Sequence, residues 1–141
     1  MFTGVFLYIS GNPYTNLKLW AHKTYDKDII QKVYKNVLAN GSNFAFFLFD
    51  DGKPKGFCHG HFFDTFWHSG QTCYLASIIV NQEERKKGYG GTMLDHAKEL
   101  AKEKGCHAII LDSSMIRKEA HEFYEDYGFE KSTFCFGLIL G

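Results

Sequence analysis

The stretch best suited to chemistry is residues 78–94, Ile-Ile-Val-Asn-Gln-Glu-Glu-Arg-Lys-Lys-Gly-Tyr-Gly-Gly-Thr-Met-Leu. An apolar run leads into a segment holding Arg85, Lys86, Lys87, Gly88, Gly90 and Gly91, and a helical pattern follows. Each part suits a bound phosphate. Glycines let backbone N–H groups approach an anion with no Cβ in the way. A helix N-terminus adds unpaired donors and a partial positive charge. Arg85 and Lys87 bring formal charge. The segment is not a Walker A loop, because GxxxxGK[ST] is absent. It is not a dinucleotide fingerprint either, because Met93 stands where the third glycine belongs.

A second group of candidates lies upstream, in Phe57-Cys-His-Gly-His-Phe-Phe-Asp. Strand alternation puts His59 and His61 on one face. Imidazole titrates near neutral pH, so either one is a candidate general base or proton relay. Ordinary surface or core placement is the competing reading. Asp64 and His68 follow closely. No third ligand is indicated by spacing and Cys58 falls on the opposite face, so no metal site is expected. The aromatic stretch 62–68 is a candidate lining for an acceptor pocket, since aromatics bind an ammonium or an apolar stem. It reads equally well as core or subunit contact.

These residues need a scaffold, and the pattern supplies one. Strands are expected at 2–10, 43–49, 56–63, 72–80, 108–111 and 134–140, where β-branched and aromatic residues cluster between turn signals. A turn at Gly11 closes the first. Helices are expected at 26–40, 92–104 and 119–127 from apolar positions at 3.6 spacing, with Gly41, Gly105 and Gly128 as stops. In the first, Ile29, Ile30, Val33, Tyr34, Val37 and Leu38 form the apolar stripe. Short turns imply an antiparallel meander through the second, third and fourth strands. The strand–helix–strand unit that follows favours a parallel pair with a right-handed crossover.

The pattern R-x-x-G-x-G-G between an apolar strand and an amphipathic helix resembles the pyrophosphate-binding loop of the Gcn5-related N-acetyltransferases (GNAT). About thirty residues on, Arg117-Lys-Glu-Ala-His-Glu-Phe-Tyr-Glu-Asp-Tyr-Gly-Phe resembles the A-x-x-F-Y-x-x-x-G-F segment of that superfamily, with Ala120, Phe123, Tyr124, Gly128 and Phe129 in place. The R-x-x-A-H-x-F-Y form is similar to a subgroup of small-amine acetyltransferases. The two matches span residues 72–140.

The resemblance implies an α/β GNAT fold, a mixed and splayed central sheet flanked by helices, with acetyl-CoA as co-substrate. It implies that Ile78, Ile79 and Val80 pair with the pantetheine amides. Arg85, Lys86, Lys87, Gly88, Tyr89, Gly90, Gly91 and Thr92 would hold the diphosphate. Tyr124 would touch the coenzyme and protonate the leaving thiolate. A backbone N–H near Ile79 would bind the oxyanion. An amine would attack directly in a ternary complex.

Two departures stand out. Arg117 occupies a position where many members carry Asn, and 74–80 holds no carboxylate where many carry a Glu base. The base is therefore sought at His59 or His61. His121 is expected to face solvent.

A small primary amine is the first choice of acceptor. A protein lysine or N-terminus is second. A non-catalytic acyl-CoA-binding regulator is the rival from another class, and an ATP-binding module is a third reading.

Composition sets the outer limits. The 141 residues correspond to one domain at about 150 residues per domain. Sixteen basic and sixteen acidic residues give zero formal charge, which argues against nucleic acid as partner. No apolar run approaches the ~18 residues of a membrane helix, so no membrane partner is expected. The N-terminus has no basic leader or small-residue cleavage signal. The four Cys form no CxxC pair, which fits free thiols in the cytoplasm. Exposed aromatic strand edges often pair between subunits, so a homodimer is one expected assembly.

Overall fold

In the computed structural model, residues 5–7 and 26–141 are described. Five strands lie in sheet order β1-β2-β3-β4-β5: β1 Val5–Leu7, β2 Asn43–Asp50, β3 Lys53–Thr65, β4 Gly70–Val80 and β5 Ala108–Leu111. The helices are α1 Lys27–Ala39, α2 Tyr89–Glu103 and α3 Lys118–Tyr127, and a short 3₁₀ turn covers Gln82–Glu84. Most of the first expected strand, and the turn at Gly11, lie outside the described residues.

The meander forms as expected. β1–β2, β2–β3 and β3–β4 are antiparallel. The last pair is parallel. His107 N–H donates to the Gln71 carbonyl at 2.8 Å, setting the start of β5 beside the start of β4. The sheet is therefore mixed. β5 has four residues and β4 has eleven, so β5 ends short of residues 77–80.

Alternation along β3 sends neighbours to opposite faces. Phe57 joins Tyr34, Ala45 and Phe47 under α1. Its neighbour Gly56 lies against Met93 of α2, where an added Cβ would come within 2.7 Å of the methionine methyl. The two helices thus cover opposite faces. Phe46, Met93 and Leu94 are fully buried on the α2 side, with the His96 ring edge-on to Phe46 at 4.7 Å.

α1 starts where Asp26 caps it, its carboxylate accepting from the Asp28 and Ile29 N–H groups at 2.8 and 3.2 Å. Its expected apolar stripe is wider than its contact with the sheet. Tyr34 and Val37 pack inward, while Ile29, Val33 and Leu38 stay exposed. Gly41 does not take the left-handed turn of a helix stop, and the helix ends at Asn40 in an extended conformation.

The largest departure is at the end of the chain. Residues 129–141 carry no regular secondary structure, so the strand expected at 134–140 does not form. Phe134, Phe136, Leu138, Ile139 and Leu140 are exposed. Strand-forming composition favours an extended chain but cannot supply a ladder partner, and it is the partner that makes a strand. The chain divides into two compact units, Met1–Ile110 and Leu111–Gly141.

Candidate functional site

The glycine-rich segment is part loop and part helix. α2 begins at Tyr89, three residues ahead of expectation. Gly88 explains this. It sits at φ +87°, a left-handed value that glycine adopts without strain, and it turns the chain straight into the helix. Thr92 N–H makes the first helical bond, to the Gly88 carbonyl at 3.1 Å. The N–H groups of Gly90 and Gly91 therefore precede the helical ladder and have no acceptor within it. Among the described residues, a Cβ on Gly88 or Gly91 would meet open space.

The cations on this turn differ in what they hold. Lys87 Nζ lies 2.7 Å from Glu84, which also accepts from Lys55 Nζ at 2.8 Å. The two ammonium groups hold the Glu84 carboxyl down at about 2. Arg85 and Lys86 are exposed and make no ion pair among the described residues. Lys86 is itself left-handed, at φ +62°.

Tyr89 turns inward. Its ring is buried, and its hydroxyl donates to Asp50 Oδ2 at 2.6 Å, which pushes the phenol up to about 12. Asn81 bonds the same hairpin twice, through its N–H to the Lys55 carbonyl at 2.9 Å and its Nδ2 to the Pro54 carbonyl at 3.0 Å. Asp50, Lys55, Asn81 and Glu84 were not singled out from sequence. The three-residue spacing of Glu84 and Lys87 is the one signal that could have pointed to any of them.

The strand that feeds this turn carries a bulge. His59 is opposite Ser77 but Gly60 is opposite Leu75, so Ala76 is the extra residue. Beyond the bulge, the Asn81 N–H points to β3, and alternation turns the Ile79 N–H the same way. The groups aimed away from β3 are then those of Ile78 and Val80. The Ile79 N–H, near which the oxyanion donor is expected, is itself turned toward β3. Gly60 accommodates the bulge, because a Cβ there would lie 2.5 Å from the Phe44 ring and 2.7 Å from the Tyr74 carbonyl.

His59 and His61 share the α1-side face, as alternation predicts. His59 is half-buried between Ala45 and Ser77 in neighbouring strands. Burial, and secondarily the nearby His61, hold its pKa below the ordinary imidazole value, so it is neutral at pH 7. His61 lies between Asn43 and Tyr74, with ring centroids 5.2 Å from both Tyr74 and Phe63.

The aromatic stretch 62–68 does not line one surface. Phe62 is buried against Phe44 on the α2 side, Phe63 lies by His61, and Phe66 and Trp67 stand exposed at the hairpin tip. His68 holds that tip together, its Nδ1 3.1 Å from the buried Thr72 hydroxyl. Asp64 is exposed and accepts from Gln71. Among the described residues no three His, Cys, Asp or Glu side chains gather as a metal site.

All four cysteines are free thiols. Burial raises Cys58 strongly and Cys73 to about 12, which disfavours the thiolate in both.

The C-terminal unit builds α3 locally. The helix ends in a Schellman motif: Gly128, at φ +116°, donates to the Glu125 carbonyl at 3.0 Å, and Phe129 N–H to the Tyr124 carbonyl at 3.0 Å. This motif brings Phe129 back onto Tyr124, edge-on at 5.8 Å, with Phe123 at 5.3 Å. The helix end thus packs two aromatic rings against Tyr124. His121 does not face solvent as expected. It is half-buried, with Nε2 2.9 Å from the Ser114 carbonyl, because the turn before α3 folds back within its reach.

The model of the acetyltransferase (GNAT) family matches residues 9–129. The chain belongs to this family. It is 36% identical over 70 residues to an uncharacterized N-acetyltransferase, YhdJ, of Bacillus subtilis, a match spanning 49% of each chain. It thus matches about half the length of that relative. A transcriptional regulator from Bacillus halodurans superposes with a TM-score of 0.85 at 20% identity, covering 99% of this chain and 100% of that one. The aminoglycoside N-acetyltransferase AAC(6')-Iy, solved in complex with CoA, superposes at 0.75 and 18% identity, over 86% of this chain and 81% of that one. The GNAT fold of this member is thereby shared with an acetyltransferase and with a protein described as a regulator. Fold alone does not choose between those roles.

Proposed function

We propose that the chain transfers an acetyl group from acetyl-CoA to the primary amine of a small molecule. The observation that carries this reading is the turn from β4 into α2. A left-handed Gly88, free helical N–H groups on Gly90 and Gly91, and the exposed cations Arg85 and Lys86 belong to one short turn, which suits it to a diphosphate. Ile78 and Val80 point their backbone groups away from β3, which suits them to the amides of a pantetheine arm. One of these N–H groups would take the oxyanion of the tetrahedral intermediate. The family match and the CoA-bound neighbour support the same co-substrate.

Acyl transfer needs a neutral amine, and alkylamines are mostly protonated at pH 7. His59 is neutral there and half-buried, so it is the preferred base, acting directly or through water, with His61 beside it as relay. By family resemblance, Tyr124 gives its proton to the leaving CoA thiolate. The amine attacks the thioester carbonyl, the C–S bond breaks, and amide and free thiol leave. No covalent enzyme intermediate is involved.

The test is a panel of primary amines assayed for free thiol release, with lysine peptides as a separate arm. Turnover of small amines above the peptide rate supports the reading. Preferred turnover of peptides would reassign the acceptor. Saturable acetyl-CoA binding without thiol release would favour the regulator instead.

A further inference from the structure

The glycine turn is tied both from within and from a neighbouring hairpin. Arg85, Lys86 and Lys87 are three adjacent like charges, and Lys86 holds a left-handed conformation unfavourable for a residue with a Cβ. Within the turn, Glu84 pairs with Lys87, and the Thr92 hydroxyl donates to the Gly88 carbonyl at 3.1 Å. Further ties reach it from the β2–β3 hairpin. Lys55 reaches Glu84, Asn81 bonds the backbone of Pro54 and Lys55, and Asp50 receives the Tyr89 hydroxyl. Tyr89 is the first residue of α2 and directly follows Gly88. Fixing its phenol fixes the direction in which the first-turn donors point.

We infer that Asp50 is a positioning residue for the coenzyme site: through the Tyr89 hydroxyl it locks the first turn of α2 in the orientation that receives the diphosphate. This rests on the reading of that turn as a diphosphate cradle. Asp50 does not touch the ligand, and the Tyr89 phenol faces away from it. Both act by holding the backbone N–H groups of Gly90 and Gly91 in place before the anion arrives, which lowers the ordering cost of binding.

The test is a double-mutant cycle with Tyr89→Phe and Asp50→Ala, read as KM for acetyl-CoA, kcat and calorimetric CoA affinity. Each single variant is expected to raise KM about tenfold, the scale of a hydrogen bond to a charged group, with kcat within about twofold. The double variant should be no worse than either single one. Asp50→Asn retains an acceptor oxygen and should recover most of the loss, which also probes the bond if Tyr89→Phe folds poorly. A fall in kcat at unchanged KM would mark the bond as merely structural and overturn the inference. So would additive losses in the double variant. If the wild-type protein binds no CoA, the cradle reading itself fails.

Discussion

The turn into α2 and the end of α3 carry the two motifs that mark this family, yet they reach their shapes by different routes. At α3 the geometry is local. Gly128 ends the helix, Phe129 folds back, and its ring packs edge-on against Tyr124, five residues before it. At α2 it is borrowed. Gly88 makes the turn, but Asp50, Pro54 and Lys55 help hold it, through bonds that span 27 to 39 residues of chain. A proton donor needs one side chain aimed well. An anion cradle needs several backbone groups aimed together, and a single helix end does not fix those against the mutual repulsion of three cations.

This contrast can be broken experimentally, and the largest effect is expected at α3. Tyr124→Phe keeps the ring and its packing and removes only the acidic proton. It should lower kcat by about 10²–10⁴-fold, as loss of a general acid does, with little change in KM for acetyl-CoA. A rise in KM with unchanged kcat would show that Tyr124 serves binding instead.

At the cradle the split should reverse. Arg85→Glu removes an exposed cation and places a carboxylate near the diphosphate. Steady-state kinetics should give a KM for acetyl-CoA raised roughly 10–100-fold, the range for a charge-assisted contact, with kcat largely kept.

The proposed base gives a smaller and pH-dependent effect. His59 has a folded-state pKa below its unfolded value of about 6.5. The neutral, base-competent form therefore survives below that pH, and the acid limb of kcat/KM should lie on the acid side of it. The same sign holds for stability. The unfolded chain binds the proton first, so stability is lost as pH falls through the unfolded value toward the folded one. His59→Gln should remove the limb and that part of the acid sensitivity together. A pH profile identical to wild type would rule His59 out.

The smallest effect is on the bulge that shapes β4. Gly60→Ala forces a Cβ into the Phe44 ring and the Tyr74 carbonyl, and should cost about 1–3 kcal/mol in denaturant unfolding. No measurable loss would mean that the strands there shift freely.

Much of this was legible in the sequence because it rests on local rules. The 3.6-residue spacing of Met93, Leu94, Ala97, Leu100 and Ala101 gives α2; Leu100 is half-buried and the others are buried. Alternation puts His59 and His61 together, and Gly128 marks the end of α3. What escaped notice depends on the third dimension. Asp50 sits in a turn signal and Glu84 in a charge run, and neither position says which distant partner it will meet. The bulge at Ala76 is a one-residue slip of register, and Ala76 is an unremarkable residue. The segment 134–140 has the composition of a strand, but pairing is a property of two segments and one of them alone does not specify it.

The central claim is that the turn from Arg85 to Thr92 holds the diphosphate of an acyl carrier. Calorimetry with CoA and with pantetheine, which shares the arm and lacks the diphosphate, tests it directly. The account predicts that the wild-type protein binds CoA much more tightly than pantetheine and that Arg85→Glu narrows the gap. Equal affinity for both ligands, or a gap unchanged by Arg85→Glu, would contradict it.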